Sequence, residues 1–170
     1  VHPLRINPDT LLELEESLIL CSTGTDHDSG AIHQDQRQQL NQESVRQKVQ
    51  SNVDLTYLIR NYLLRGRLHE FGLALHEAWQ LKRQFSSKIS NKNLDGIYTD
   101  ALMHGALGGK LLGAGGGGFF LFYVPPFSKH RLISHLKSRG LYISSFRFEQ
   151  EGLQAWTVRE RSEYTENIDL

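Results

Sequence analysis

The chain has 170 residues, 39% of them hydrophobic, which is enough apolar material for one compact domain and would crowd two. Its 19 Lys plus Arg balance 19 Asp plus Glu, so no global charge draws it to nucleic acid or an anionic membrane surface, and any charged ligand must be met locally. A single cysteine, Cys21, excludes an internal disulfide and fits a reducing cytoplasm, while no leader resembles a signal peptide and no run of about eighteen apolar residues could span a bilayer.

Residues 1–8 are held extended by two prolines, and a short amphipathic stretch, 11–16, runs into Leu18-Ile19-Leu20-Cys21, a buried strand by its apolar run. Gly24 ends it. The loop 25–30 gathers Asp26, His27 and Asp28, but no second ligand cluster joins them and their spacing fits no zinc or calcium template, so a solvated loop is expected and no metal site. Residues 31–49 are polar and glutamine-rich with sparse apolar positions, which predicts a mostly exposed helix broken near Asn41. Leu55, Leu58, Ile59, Tyr62 and Leu63 then follow helical spacing until Gly66 stops the run. A further helix over 67–84 carries Leu68, Phe71, Leu75 and Ala78 on one stripe and gathers His76, Trp79, Lys82 and Arg83 toward its end.

Asn93 is placed to cap the next helix, whose Leu94, Ile97, Tyr98, Ala101 and Leu102 again share a face. That helix leads into a glycine-rich stretch and then the apolar strand 119–124. Pro125-Pro126 ends pairing, Ser128 is placed to cap a helix with Leu132, Ile133 and Leu136 inward, and Gly140 closes it. Two strands, 141–149 and 153–158, are expected around Gly152, before a charged, aperiodic tail at 159–170. Residues 1–158 thus read as one α+β domain, an antiparallel sheet covered by helices.

The stretch 105–119 reads GALGGKLLGAGGGGF, more than half glycine, and glycine inside an element only adds chain entropy to lose on folding. Such a composition implies a backbone that must approach something closely. Successive glycine N–H groups can form a concave donor nest that holds phosphate oxygens. An anionic ligand is therefore expected at Gly113, Ala114, Gly115, Gly116, Gly117 and Gly118, with Lys110 as a nearby cation. The order is neither that of a P-loop nor that of a dinucleotide fingerprint, which both put a strand first and a helix second. Plainer readings stay open: Gly115 to Gly118 let a strand cross another backbone closely, and Lys110 only offsets the negative end of the preceding helix.

The words GGKLLGAGGGGF resemble the C-terminal motif of the GHMP kinase superfamily, which includes galactokinase, homoserine kinase, mevalonate kinase and phosphomevalonate kinase. Within it the likeness is greatest to the D-glycero-D-manno-heptose 7-phosphate kinases and the related L-fucokinase domains. Upstream, LHEAWQLKR at 75–83 with Ser86 and Ile89-Ser90-Asn91 is similar to the heptose-kinase helix and loop. Downstream, Phe122-Tyr123-Val124-Pro125-Pro126 and Phe146-Arg147-Phe148-Glu149 with Gly152 resemble its closing strands. The likeness runs over about 18–158. No PxGLGSSAA-type ATP loop occurs in the chain, which therefore looks like the C-terminal half of such a kinase. In the loop 22–29, His27 stands about where the heptose kinases have an arginine.

The resemblance implies a ferredoxin-like antiparallel sheet and ATP-dependent phosphoryl transfer, with Mg²⁺ bridging phosphates, to the anomeric hydroxyl of a heptose 7-phosphate. It implies an N-terminal GHMP kinase domain as partner, in the same chain or another, and it admits a homodimer. Lys82, Arg83, Trp79 and His27 become the expected contacts to the sugar phosphate; no catalytic residue is assigned. For Lys82 and Arg83 the plain alternative is a solvated helix end. For the whole chain the alternatives are a non-catalytic sugar-phosphate-binding or regulatory module, a fucokinase-like or other small-molecule kinase, and a structural domain whose glycines only permit close packing.

Overall fold

The computed structural model describes residues 3–25, 28–149 and 151–158. In chain order come helix α1 (Pro8–Ser17), strand β1 (Leu18–Ser22), helices α2 (Ser29–Gln39), α3 (Glu43–Leu64), α4 (Leu68–Lys82) and α5 (Lys92–Met103), strands β2 (Gly108–Leu111) and β3 (Phe119–Tyr123), helix α6 (Pro126–Ser138) and strand β4 (Ile143–Ser144). The strands form one antiparallel sheet in the order β2-β3-β1-β4. The expected α+β architecture is what forms.

The period of two along the central strands sorts the core into two layers. Ile19 and Cys21 stand opposite Phe122 and Phe120, and these four pack with side chains of α5 and α6. Leu18 and Tyr123 turn to the other face, where Leu14, Leu68, Phe71 and Leu75 cover them. Phe120 and Phe122 are wholly buried, each contributing about 2 kcal/mol of transfer free energy. Burial also pushes the Cys21 thiol up to about 11, so it behaves as a small core hydrophobe.

α4 crosses the β2 edge at unusually short range. A Cβ on Gly108 would lie 2.2 Å from the Gly72 carbonyl oxygen, and one on Gly72 would lie 2.4 Å from the Tyr123 ring. Neither position has room for any side chain. The Gly108-Gly109 pair therefore serves packing, and the glycine-rich stretch divides into a strand and a separate loop.

Several boundaries differ from expectation. The glycine-rich stretch contains β2, because Lys110 and Leu111 pair with Leu121 and Phe120. α5 begins at Lys92 with Asn91 as its cap, whose side-chain oxygen accepts from the Leu94 N–H at 3.0 Å; Asn93 lies inside the first turn and reaches Thr25 instead. α6 starts at Pro126, two residues before Ser128, since proline at the first helical position needs no acceptor. The polar stretch does break near Asn41, but its second part continues into the Leu55 helix as α3. The expected strand 141–149 is reduced to Ile143–Ser144, because the Phe148 N–H turns to the Glu15 carboxylate of α1 at 3.4 Å. Residues 153–158 form no strand, and the tail expected at 159–170 lies outside the described residues.

Candidate functional site: a glycine loop between two lysines

The loop joining β2 to β3 is closed by the Leu112 N–H donating to the Phe119 carbonyl at 2.9 Å. Within it Gly113, Gly115, Gly116 and Gly118 have φ of 71°, 120°, 76° and 96°, the left-handed region that L side chains avoid. The loop is held from outside by its carbonyls. Gln36 of α2 donates to the Ala114 oxygen at 2.8 Å, and Thr23 donates to the Gly118 oxygen through both its N–H and its hydroxyl, at 2.8 and 3.0 Å. The Lys82 ammonium donates to the Leu111 and Gly113 oxygens at 3.0 and 2.6 Å. One loop N–H is also held: Gly116 donates to Ile89 at 2.8 Å.

The remaining N–H groups, those of Gly113, Ala114, Gly115, Gly117 and Gly118, meet no acceptor among the described residues. Backbone N–H groups away from water are almost always paired, so a run of unpaired donors, with the carbonyls of Gly113, Ala114 and Gly118 already occupied, is a surface suited to an anion. Two cations stand beside it. Burial, reinforced by the charge of Lys110, brings Lys82 down to about 8, and burial lowers Lys110 as well. Neither lysine forms an ion pair among the described residues; Lys82 places its ammonium on the loop's carbonyls, and Lys110 is near enough for its charge to be felt at Lys82.

The expected residues are distributed unevenly around this cradle. Gly113 to Gly118, Lys110 and Lys82 come together. Arg83 lies on the next position of α4 and turns aside to Asp95 of α5, 2.7 Å away, whose carboxylate also accepts from Ser90 at 2.6 Å. Trp79 is 0% exposed and packed against Tyr98 and Phe120, a core side chain in this arrangement. His27 lies outside the described residues. Gln36 and Thr23 had no signal in the sequence, because each meets the loop across 78 and 95 positions of chain. The same holds for Asp35, which accepts from Ser86 and attracts Lys88, fixing the segment between α4 and α5 against α2.

A phosphate-like anion suits this set of donors and ammonium groups. Among the described residues no group of three or more His, Cys, Asp or Glu is placed to hold a metal ion. No helix among those residues is long and apolar enough to cross a membrane.

Comparison with known proteins gives this geometry a context. Residues 59–140 match the family model described as GHMP kinases C terminal. Over 158 residues, 93% of the chain, it is 30% identical to the D-glycero-alpha-D-manno-heptose 7-phosphate kinase of Campylobacter jejuni, covering 47% of that protein. It is 28% identical over 123 residues to the bifunctional fucokinase/GDP-fucose pyrophosphorylase of Arabidopsis thaliana, covering 71% of this chain and 12% of that one. A crystal structure of a candidate sugar kinase from Campylobacter jejuni superposes with a TM-score of 0.65 at 28% identity, over 92% of this chain and 44% of the other. The chain thus spans less than half the length of these relatives.

Proposed function

We propose that this member of the GHMP kinase superfamily is the C-terminal half of an ATP-dependent sugar-phosphate kinase, acting on the anomeric hydroxyl of D-glycero-D-manno-heptose 7-phosphate. The observation that carries this reading is the loop itself: the unpaired N–H groups of Gly113, Ala114, Gly115, Gly117 and Gly118, with the ammonium groups of Lys82 and Lys110 beside them and, among the described residues, no carboxylate paired to either. The 30% identity to a heptose 7-phosphate kinase supports the choice of sugar.

ATP with Mg²⁺ would supply the phosphoryl group. This chain would supply donors aimed at phosphate oxygens, where charge is spread in the transition state, at fixed positions that need no reorganisation. Lys110 adds positive charge, and Lys82 adds it while holding the two carbonyls that give the loop its shape. The segment carrying Gly116's acceptor, Ile89, is itself locked by Ser86 on Asp35, so the cradle is set before any ligand arrives.

The test is a coupled kinase assay with heptose 7-phosphate on the chain alone and on the chain co-expressed with the N-terminal half of the Campylobacter relative. Turnover only in the pair supports the proposal. Robust turnover by the chain alone would sink it. Sugar-phosphate binding with no turnover in the pair would favour a non-catalytic binding module.

A further inference from the structure

Lys82 is half-buried at the end of α4, and its ammonium gives two of its three N–H bonds to the Leu111 and Gly113 oxygens, at 3.0 and 2.6 Å. Those two acceptors fix which proton can leave. It is the third, and by the tetrahedral geometry of the amine its loss opens a lone pair directed away from both carbonyls. Because burial and the charge of Lys110 bring the group down to about 8, about a tenth of it is free amine at pH 7, against less than about a thousandth for an ordinary lysine. The other charges nearby are engaged elsewhere: Arg83 with Asp95, and Asp35 with Ser86 and Lys88, while the loop's remaining clamps, Gln36 and Thr23, do not ionise. The amine therefore stands at the start of the run of unpaired N–H groups that suits a phosphate-like anion. A nucleophile beside an anion cradle selects reagents that carry both a phosphate and an electrophilic carbon.

From this we infer that Lys82 is a site of acylation by acyl phosphates, whose phosphate rests on the loop N–H groups while the adjoining acyl carbon meets the Nζ amine. This rests on the phosphate-binding reading of the loop and holds whichever sugar the kinase uses. In an acyl phosphate the carbonyl carbon and the phosphorus share one oxygen, so a reagent held by the N–H groups of Gly113 to Gly115 brings its acyl carbon to an amine that touches Gly113. The Nζ lone pair attacks that carbon, an N–C bond forms, the C–O bond to phosphate breaks, and the amine proton leaves with the phosphate as hydrogen phosphate. The product amide is uncharged and has one N–H where the ammonium had three, so it can hold only one of the two carbonyls and no longer attracts an anion. Acylation thus disables the cradle that directed it. Lys110 is the internal comparison: burial lowers it too, yet no hydrogen bond ties it to the loop among the described residues.

The experiment treats the full chain with acetyl phosphate and reads each lysine by peptide mass spectrometry, with and without pyrophosphate, whose own binding is measured by calorimetry. Lys82 should be acetylated about 10-fold or more faster than Lys110 and than the exposed Lys92 and Lys137, and pyrophosphate should slow Lys82 alone by about 10-fold. The acetylated chain should bind pyrophosphate about 10- to 100-fold more weakly. Its rate of labelling at Lys82 should rise with pH to about 8 and then level, while an ordinary lysine keeps gaining toward 10.5. Acetylimidazole, which carries no phosphate, should favour Lys82 by much less, and Gly117→Val, which leaves the lysine in place, should lose the preference for acetyl phosphate. An equal preference with both reagents, or one unchanged in Gly117→Val, overturns the inference, because the amine alone would then explain the labelling. Lys82 labelled no faster than Lys92 and Lys137 while pyrophosphate still binds overturns it and leaves the phosphate-binding loop standing. Absence of pyrophosphate binding overturns both.

Discussion

Lys82 and Gly113 are joined directly: the ammonium at the end of α4 donates to the carbonyl oxygen at the first left-handed position of the loop, at 2.6 Å. A lysine in that place does two things at once. It occupies the Leu111 and Gly113 carbonyls, beside N–H groups of Gly113 and Ala114 that have no acceptor among the described residues, and it sets a positive charge next to them. Arg83, one residue on, does neither, because Asp95 holds it.

The two side chains should therefore separate in a binding experiment. Lys82→Ala removes a charge-assisted contact of roughly 1.5 to 3 kcal/mol and should weaken binding of phosphate-bearing ligands about 10- to 100-fold. Arg83→Ala breaks a partly exposed ion pair and should cost up to about 1 kcal/mol in stability, with affinity unchanged. Calorimetric titration of heptose 7-phosphate, the unphosphorylated heptose and ATP into the paired halves distinguishes them. Equal losses for both variants would mean that Lys82 has no privileged place at the loop.

Binding should also depend on pH in a defined window. The folded chain releases the Lys82 proton near pH 8 and the unfolded chain holds it to its ordinary 10.5. Between those values the unfolded state binds more protons, so stability should rise with pH there. An anion favours the charged lysine, so its binding should take up protons near pH 8 and weaken as pH rises through that value. Calorimetry of pyrophosphate binding at pH 7 and 9, in buffers of different ionisation enthalpy, reads both effects. A flat profile, or one unchanged in Lys82→Met, would show that the loop does not feel this charge.

Neighbouring glycines should fail for different reasons. Gly116 has φ of 76° and a bonded N–H, so Gly116→Val should destabilise the fold by about 1 to 2 kcal/mol or more. Gly117 is not in the left-handed region, so Gly117→Val should fold and lose phosphate affinity by blocking approach. Thermal melts paired with ATP titration make the comparison. A Gly117→Val protein that binds normally would leave the loop a packing role alone.

At the sheet edge the expectation is purely structural. Gly108→Ala would drive a methyl into the Gly72 carbonyl of α4, a backbone atom that cannot swing aside, and should cost about 3 kcal/mol. Gly140→Ala, which meets nothing within 4 Å, should cost only the smaller strain of its φ of 77°. Chemical denaturation of the two variants tests the ordering, and a reversal would mean that α4 slides over β2 without resistance.

Local patterns determined much of this protein. The helical spacing of Leu94, Ile97, Tyr98 and Ala101 marked α5, the run Leu18 to Cys21 marked β1, and the glycine-rich words marked both the family and the loop, because each signal is carried by residues near one another in the chain. Tertiary structure decided what those residues do. Whether a glycine makes room for a helix or shapes a cradle depends on what lies opposite, and Gly108 meets α4 while Gly116 meets Ile89. The division of Lys82 from Arg83 was equally out of reach, since adjacent helix positions point about 100° apart and only packing says which one meets the loop. Strand signals at 153–158 were present without a strand, because pairing is a property of two segments and a single sequence pattern names only one of them.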